Sequence, residues 1–201
     1  MYHLFLASHS RTRQHLLTSA QLPCTIIEHH ADERSIMWDS SIHEMVIRLA
    51  LLKMEHVAMP VGYENELVFV LTADTLIADA GGKLYGKPHD YAEATRMIRA
   101  LRDYAHIATG FCLEKKQYID MAWKTVHRVT QVQDGTCISD IPDKWIDYYL
   151  ARTDYTSLAG ALAIDNVGAL FIKEIRGSYG AILGLPMAEL RIALTNSGFF
   201  E

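Results

Sequence analysis

The chain has 201 residues, half of them apolar and 21% charged, which is typical of a globular protein and argues against disorder. Lys and Arg number 19 against 24 Asp and Glu, a net charge of −5, so stable nucleic-acid binding through a basic face is not expected. No apolar stretch reaches the roughly 18 residues that span a bilayer, and the three cysteines match no zinc spacing. We therefore expect a single cytoplasmic domain over residues 1–201, with no membrane segment.

The first part of the chain alternates between strand and helix patterns. In chain order, the sequence predicts a strand at residues 4–7, a helix capped by Ser8-His9-Ser10 and running to about 20, a strand at 23–27, an irregular polar segment at 28–41, and an amphipathic helix at 41–59. The long helix is predicted from apolar side chains that recur at three- and four-residue steps.

The remainder of the chain continues the alternation. The sequence predicts a buried strand at residues 67–77, a Gly81-Gly82 turn, a helix at 90–102, strands at 105–113 and 121–133 joined by a turn at 114–117, a helix at 141–151, a strand at 168–175, and a last helix from Pro186 to about 196. Interleaved strands and helices predict an α/β fold with a mixed sheet.

Asp74 is the charge in the most apolar setting, since it comes soon after the apolar run at residues 67–71. A carboxylate at the end of a central strand costs several kcal/mol if it is unpaired. We therefore expect Asp74 to be hydrogen-bonded, metal-bound or catalytic. The alternative is a turn aspartate that binds its own backbone.

Three other residues are suited to binding an anion. Lys87 lies between Gly86 and Pro88, and Ser8 lies where a strand meets a helix N-terminus, with Arg13 one turn into that helix. The alternatives are a solvated lysine, simple N-capping and an exposed arginine. The ten histidines show no HExxH or similar spacing, which favours surface or core histidines over a zinc site.

In this order, the motifs resemble those of the Maf family of nucleoside triphosphate pyrophosphatases. Residues 5–17 resemble the family's LASxSPRRxxLL, Asp32-Glu33 resembles its acidic pair, and Lys53 resembles its helical lysine. Thr72-Ala73-Asp74-Thr75 resembles GADT, and Gly86-Lys87-Pro88 with Ala92-Glu93-Ala94 and Met97 resembles GKPxxxxEAxxML. Further along the chain, HxVxTG is matched by His106, Thr109 and Gly110, KAGAY by Ala159-Gly160-Ala161, and VGLP by Gly184-Leu185-Pro186. The ordered set is far more specific than any single motif.

The resemblance implies an elongated mixed sheet flanked by helices, with two lobes around a cleft, as in Maf and inosine triphosphatase-like proteins. It implies hydrolysis of a nucleoside triphosphate between the α- and β-phosphates, a divalent cation (Mg²⁺ or Mn²⁺) and a homodimer. The implied roles are a general base or metal ligand for Asp74, a metal ligand for Glu33, neutralisation of the triphosphate for Lys53, Lys87 and Arg13, and a hydrogen bond to substrate for Ser8.

Three positions depart from the family pattern. Thr12 replaces an arginine, Leu158 replaces the KAG lysine, and Asp165 replaces the glutamine that helps to choose the base. A carboxylate only accepts hydrogen bonds, so Asp165 would suit a guanine edge, as in a subgroup that acts on 7-methylguanosine triphosphate. Thr75 instead matches the subgroup that prefers dTTP and UTP. The departures leave open a second hypothesis, a catalytically weak nucleotide-binding regulator of septum formation.

Overall fold

Seven strands form one mixed sheet in the computed structural model, which describes the backbone of residues 1–201 and every side chain except that of Arg34. The elements are β1 (His3–Leu6), α1 (Arg11–Ser19), β2 (Thr25–Ile26), α2 (Ile42–Glu55), β3 (Leu67–Ala78), β4 (Leu84–Tyr85), α3 (Tyr91–Leu101), β5 (Ala105–Ile119), β6 (Ala122–Ser139), α4 (Asp143–Leu150), β7 (Ile172–Gly177), α5 (Tyr179–Leu183) and α6 (Met187–Asn196). The strand order is β2-β1-β3-β5-β6-β7, with β4 paired to β3. Only β1 makes parallel pairs, with β2 and β3. The predicted α/β fold with a mixed sheet is confirmed.

The hairpin of β5 and β6 is longer than predicted. The predicted turn at residues 114–117 is wrong, because the two strands stay paired to Ile119 and Ala122, and the turn is made by Asp120 and Met121 at positive φ. Glu114 is buried and pairs with Lys116 and Arg128. Each carboxylate oxygen of Glu114 therefore has a cationic partner within the sheet, whereas residues 114–117 have the composition of a solvated turn.

The predicted strand at residues 168–175 begins too early. Residues Asn166–Leu170 form a 3₁₀ turn, and β7 starts only at Ile172. Gly168 lies against the carbonyl of Ala163, so the chain is folded back on itself here. A short apolar run does not distinguish these two conformations by its periodicity. The short helix α5 was not predicted; Ser178 caps its start and the left-handed Gly184 ends it.

Side chains of β3 alternate between the two faces of the sheet, as the two-residue period of a strand requires. Val68 and Val70 pack with Ala50 and Met54 of α2. Phe69 and Leu71 pack on the other face, in a cluster with residues of α1 and α6. Continued along the strand, the alternation directs the side chain of Asp74 towards α2 and that of Thr75 towards the opposite face.

Helix α2 lies directly on the sheet because Gly110 of β5 has no side chain. A Cβ at this position would lie 2.9 Å from the carbonyl carbon of Val46 and 3.0 Å from the amide nitrogen of Ile47. We expect Gly110→Ala to push the helix outwards and to lower the free energy of unfolding by about 1–3 kcal/mol, as overpacking does. Urea unfolding measures the change.

The matched control is Gly81→Ala, in an exposed turn where a new Cβ would meet only the carboxylate of Asp79, 3.3 Å away. We expect a change within about 0.5 kcal/mol there. Equal unfolding free energies for Gly110→Ala and the wild type would contradict the close approach of α2.

No helix in the described part of the chain combines the length and the apolar character needed to cross a membrane.

Candidate active site

An open stretch of β3 forms the floor of the candidate site. On the side away from β5, β1 pairs with β3 as far as Leu71, and β4 pairs with it only from Ile77. Among the strand pairs of the described chain, none covers this edge between those two residues. Two adjoining pockets open there, and they share Asp74, Thr75, Lys87 and Ala159. The gap between two partner strands thus gives a ligand access to both faces of β3.

Lys53 lies between the two predicted acidic residues. Its Nζ is 3.1 Å from Oε1 of Glu33 and forms an ion pair with Oδ1 of Asp74. The side chains of Lys53 and Asp74 are only 7% and 10% exposed, whereas Glu33 is about half exposed. Lys53 reaches this position because the last turn of α2 crosses β3 on the face to which Asp74 points.

The electrostatic surroundings keep Glu33 charged. Partial burial would raise the pKa of its carboxyl, but the ammonium groups of Lys53 and Lys87 hold that pKa below its ordinary value of 4.5. Glu33 is therefore ionised near neutral pH. The influence of Lys87 also places its charge close to the acidic pair, although its side chain is exposed.

Arg13 is buried and holds together segments that are far apart in the chain. Its Nε donates to the carbonyl oxygen of Gly184 at 2.7 Å, Nη1 to Oγ of Ser8 at 3.1 Å, and Nη2 to Oγ1 of Thr75 at 2.8 Å. Burial lowers the pKa of Arg13, while the nearby charges of Asp74 and Glu33 oppose this shift. A guanidinium has five N–H donors, so further donors are available beyond these three bonds.

The hydroxyl of Thr75 is oriented by its neighbours. Oγ1 of Thr109 donates to the carbonyl oxygen of Ala181 at 2.6 Å and lies 2.8 Å from Oγ1 of Thr75. Since the proton of Thr109 is used in the first bond, Thr75 must donate in the second and accept from Arg13. The result is a directed chain, Arg13 to Thr75 to Thr109 to the backbone of α5, in which Thr75 orients the arginine.

The predicted site residues converge here with one exception. Lys53, Asp74, Thr75, Lys87, Arg13 and Thr12 line one pocket, Glu33 lines the adjoining one, and Ser8 binds Arg13. Asp165 does not line either of these pockets; its neighbour Ile164 does. Asp165 instead precedes the 3₁₀ turn Asn166–Leu170.

Part of the lining of the first pocket is apolar. It includes Leu158, Ile164 and Ile182, and Leu158 stands where the family pattern has a lysine. Such a surface suits the face of a nucleobase, while the cations suit a triphosphate. Sequence reasoning gave no role to Thr109, although it lies in a quoted motif. It also missed the carbonyl groups of Ala181 and Gly184, because a backbone acceptor has no signature in a sequence.

The donor set of Glu33 and Asp74 fits a hard divalent cation. Mg²⁺ is bound in proteins by one or two carboxylates together with waters and substrate phosphate oxygens. Each carboxylate has a second oxygen beyond the one that faces Lys53. These two residues are therefore suited to hold Mg²⁺ or Mn²⁺ when a triphosphate supplies the remaining ligands.

Comparison with known proteins gives a match to the family described as Maf-like protein over residues 3–197. The dTTP/UTP pyrophosphatase of Syntrophus aciditrophicus is 35% identical over 97% of this chain and 90% of its own length. The dTTP/UTP pyrophosphatase of Anaeromyxobacter dehalogenans (strain 2CP-C) is 32% identical over 98% and 94%. The nucleoside triphosphate pyrophosphatase of a Synechococcus species is 31% identical over 98% and 94%.

Proposed function

The chain belongs to the Maf family, and we propose that this nucleoside triphosphate pyrophosphatase acts on dTTP and UTP, cleaving the bond between the α- and β-phosphates. The products are a nucleoside monophosphate and pyrophosphate. The observation that carries the proposal is the buried Lys53 between Asp74 and Glu33, at an open edge of β3. Arg13 and Lys87 bring further positive charge to the same pockets.

In the proposed reaction, Asp74 accepts a proton from the attacking water. The water oxygen forms a bond to the α-phosphorus as the bond to the bridging oxygen breaks, and that oxygen leaves with pyrophosphate. Lys53 is held beside Asp74 and orients the carboxylate. Lys87 and Arg13 neutralise the phosphate oxygens, so pyrophosphate leaves without a strong acid.

The proposal assigns a metal ion to Glu33 and Asp74. When bound, Mg²⁺ or Mn²⁺ would supply positive charge that polarises the attacking water and neutralises phosphate oxygens. Lys53 does not replace that charge fully, since it faces two carboxylates at once. The fit of two carboxylates to a hard cation supports this part of the proposal.

Pyrimidine substrates are favoured over guanine nucleotides by two features. Thr75 matches the dTTP/UTP subgroup and orients Arg13, and relatives at 35% and 32% identity carry the name dTTP/UTP pyrophosphatase. The alternative, 7-methylguanosine triphosphate, depends on a carboxylate at the base. Asp165, which would provide it, lies outside the lining of the two pockets.

A nucleotide panel assayed by pyrophosphate release with Mg²⁺ or Mn²⁺ tests the substrate. We expect kcat/KM for dTTP and UTP to exceed that for GTP and 7-methylguanosine triphosphate by at least about tenfold. Asp165→Gln should leave this ratio nearly unchanged, because the side chain does not line the pocket. Preferential turnover of the guanine nucleotides would overturn the pyrimidine proposal. If the wild type preferred guanine nucleotides and Asp165→Gln preferred dTTP and UTP, Asp165 would be placed at the base.

The same assay tests the regulator hypothesis. Leu158 in place of a lysine gives that hypothesis its support, since it lines the pocket and removes a cation from it. Nucleotide binding without turnover, with either metal ion, would favour the regulator.

The proposal also includes a cytoplasmic location, supported by three free cysteines, Cys24, Cys112 and Cys137. The homodimer implied by the family stays a prediction.

A further inference from the structure

Two histidines and an aspartate from three different elements meet on the α2 face of the sheet. Nε2 of His43 and Nε2 of His106 each lie 2.8 Å from Oδ2 of Asp134. The candidate ligand atoms of the three residues all lie within 4.8 Å of one another. His106 lies near the start of β5, four residues before Gly110, so this cluster is distinct from the pair of Asp74 and Lys53.

We propose that His43, His106 and Asp134 form a binding site for a transition-metal ion of the Zn²⁺ class. Imidazole nitrogens and a carboxylate oxygen are the ligands that such ions take, and three protein ligands leave a fourth position open to water or a further ligand. The site is separate from the candidate active site, because none of its residues lines the pockets around Asp74.

The three side chains are joined by hydrogen bonds in an arrangement that an ion could replace. Both histidines direct the same nitrogen, Nε2, at the same carboxylate oxygen, and their rings meet edge to face with centroids 5.8 Å apart. Metal–ligand bonds of about 2.0–2.1 Å in a tetrahedron separate ligand atoms by about 3.3 Å. The two histidine–aspartate separations of 2.8 Å would need to widen by about 0.5 Å to admit an ion, while the ligand atoms of the two histidines already lie within 4.8 Å of each other.

Regular secondary structure positions all three ligands. His106 pairs with Thr136, so Asp134 is its diagonal neighbour on the same face of the sheet. The carbonyl oxygen of Asp134 accepts a hydrogen bond from the amide of Ser178, which fixes the backbone behind the carboxylate. His43 comes from the first turn of α2, the helix that Gly110 allows to lie on the sheet.

The cluster is accessible to an ion from solvent. The side chains of His43 and Asp134 are 46% and 42% exposed, and His106 also lines an open groove with Ser41 and Lys83. An ion bound here would connect the start of α2 to β5 and β6. Because the end of the same helix carries Lys53, the site would stabilise the helix on which the candidate active site depends.

Co²⁺ titration of the full chain, after removal of metal ions with a chelator, tests the proposal. We expect one equivalent of Co²⁺ to give intense visible absorption bands of low coordination number, and Zn²⁺ to displace it. His43→Gln and Asp134→Asn should each weaken binding at least about tenfold, since even loss of an indirect partner of a ligand costs that much. The control His15→Gln removes an exposed histidine from α1 and should bind like the wild type.

Glu33→Gln separates this site from the candidate active site. Retention of Co²⁺ binding in Glu33→Gln together with its loss in His43→Gln and Asp134→Asn would support the proposal. Three results would overturn it. The first is no stoichiometric Co²⁺ or Zn²⁺ binding by the wild type, which would mean that the histidines and the carboxylate form hydrogen bonds only. The others are unchanged affinity in a folded His43→Gln or Asp134→Asn, and loss of the site in Glu33→Gln alone. Turnover enters none of these measurements, so the outcome does not depend on the proposed hydrolysis.

Discussion

Asp74→Asn is expected to lower kcat by about 10²–10⁴-fold, the usual contribution of a positioned general base. The amide keeps the size of the side chain but neither takes a proton from water nor carries the charge that a metal ligand provides. The loss should fall mainly on kcat, because Lys87 and Arg13 remain to neutralise the triphosphate. Pyrophosphate release under saturating nucleotide measures kcat, and circular dichroism with thermal melting checks that the variant folds.

Asp120→Asn is the matched control for this substitution. Asp120 lies at the tip of the β5–β6 hairpin, where its side chain is 82% exposed and its φ is positive. Asparagine tolerates that conformation, so both turnover and stability should stay close to those of the wild type. Unchanged turnover in a folded Asp74→Asn would remove Asp74 from its proposed role as base or metal ligand.

Glu114→Gln is expected to have the largest effect on stability. The Glu114 side chain is 1% exposed, and its two oxygens lie 2.5 Å from nitrogens of Lys116 and Arg128. Removing its charge leaves Lys116, itself only 12% exposed, without its carboxylate inside the sheet. We expect the free energy of unfolding to fall by about 2–3 kcal/mol, below the value for a fully buried pair because Arg128 reaches solvent. Urea unfolding at neutral pH measures it.

The pH dependence of this effect gives a second readout. Burial alone would raise the pKa of Glu114, but Lys116, Thr125 and Arg128 hold it below its ordinary value of 4.5. The carboxylate therefore stabilises the folded state above pH 4.5, and this contribution is lost as the pH falls through the lowered pKa. The difference between the wild type and Glu114→Gln should narrow accordingly in acid.

Glu174→Gln provides the comparison for an exposed pair. Glu174 of β7 binds Arg176 at 2.5 Å, but the two side chains are 43% and 70% exposed. Such pairs contribute about 0–1 kcal/mol, so this variant should unfold nearly as the wild type does. If the two glutamate variants lost equal stability, burial would not be the reason for the importance of Glu114.

The convergence of Asp74, Lys53 and Glu33 is the part of the candidate site that the sequence predicts best. Asp74 stands out because a charge comes soon after the apolar run at residues 67–71, whereas Lys53 and Glu33 are expected only from the family resemblance. The signal at Asp74 is local, since it depends on a single strand. Pairing of Asp74 with Lys53 follows from the packing of α2 on β3.

Features that depend on distant backbone or on compensated charge could not be predicted. Glu114 and Lys116 have the composition of a turn, and only their burial beside Arg128 shows that they belong to a strand. The cluster of His43, His106 and Asp134 has no short spacing, because three separate elements contribute one ligand each. A spacing motif detects ligands that lie on one element. Here the fold brings together ligands from three elements, so no such motif exists.

The hydrogen bond from Arg13 to Gly184 spans 171 residues of sequence, and this separation has a consequence for biosynthesis. At synthesis rates of about 5–20 residues per second, the arginine is added to the chain roughly 9–34 s before its acceptor. During that interval the nascent chain lacks the carbonyl groups that orient the guanidinium. The pocket around Arg13 is therefore completed only when α5 reaches the sheet.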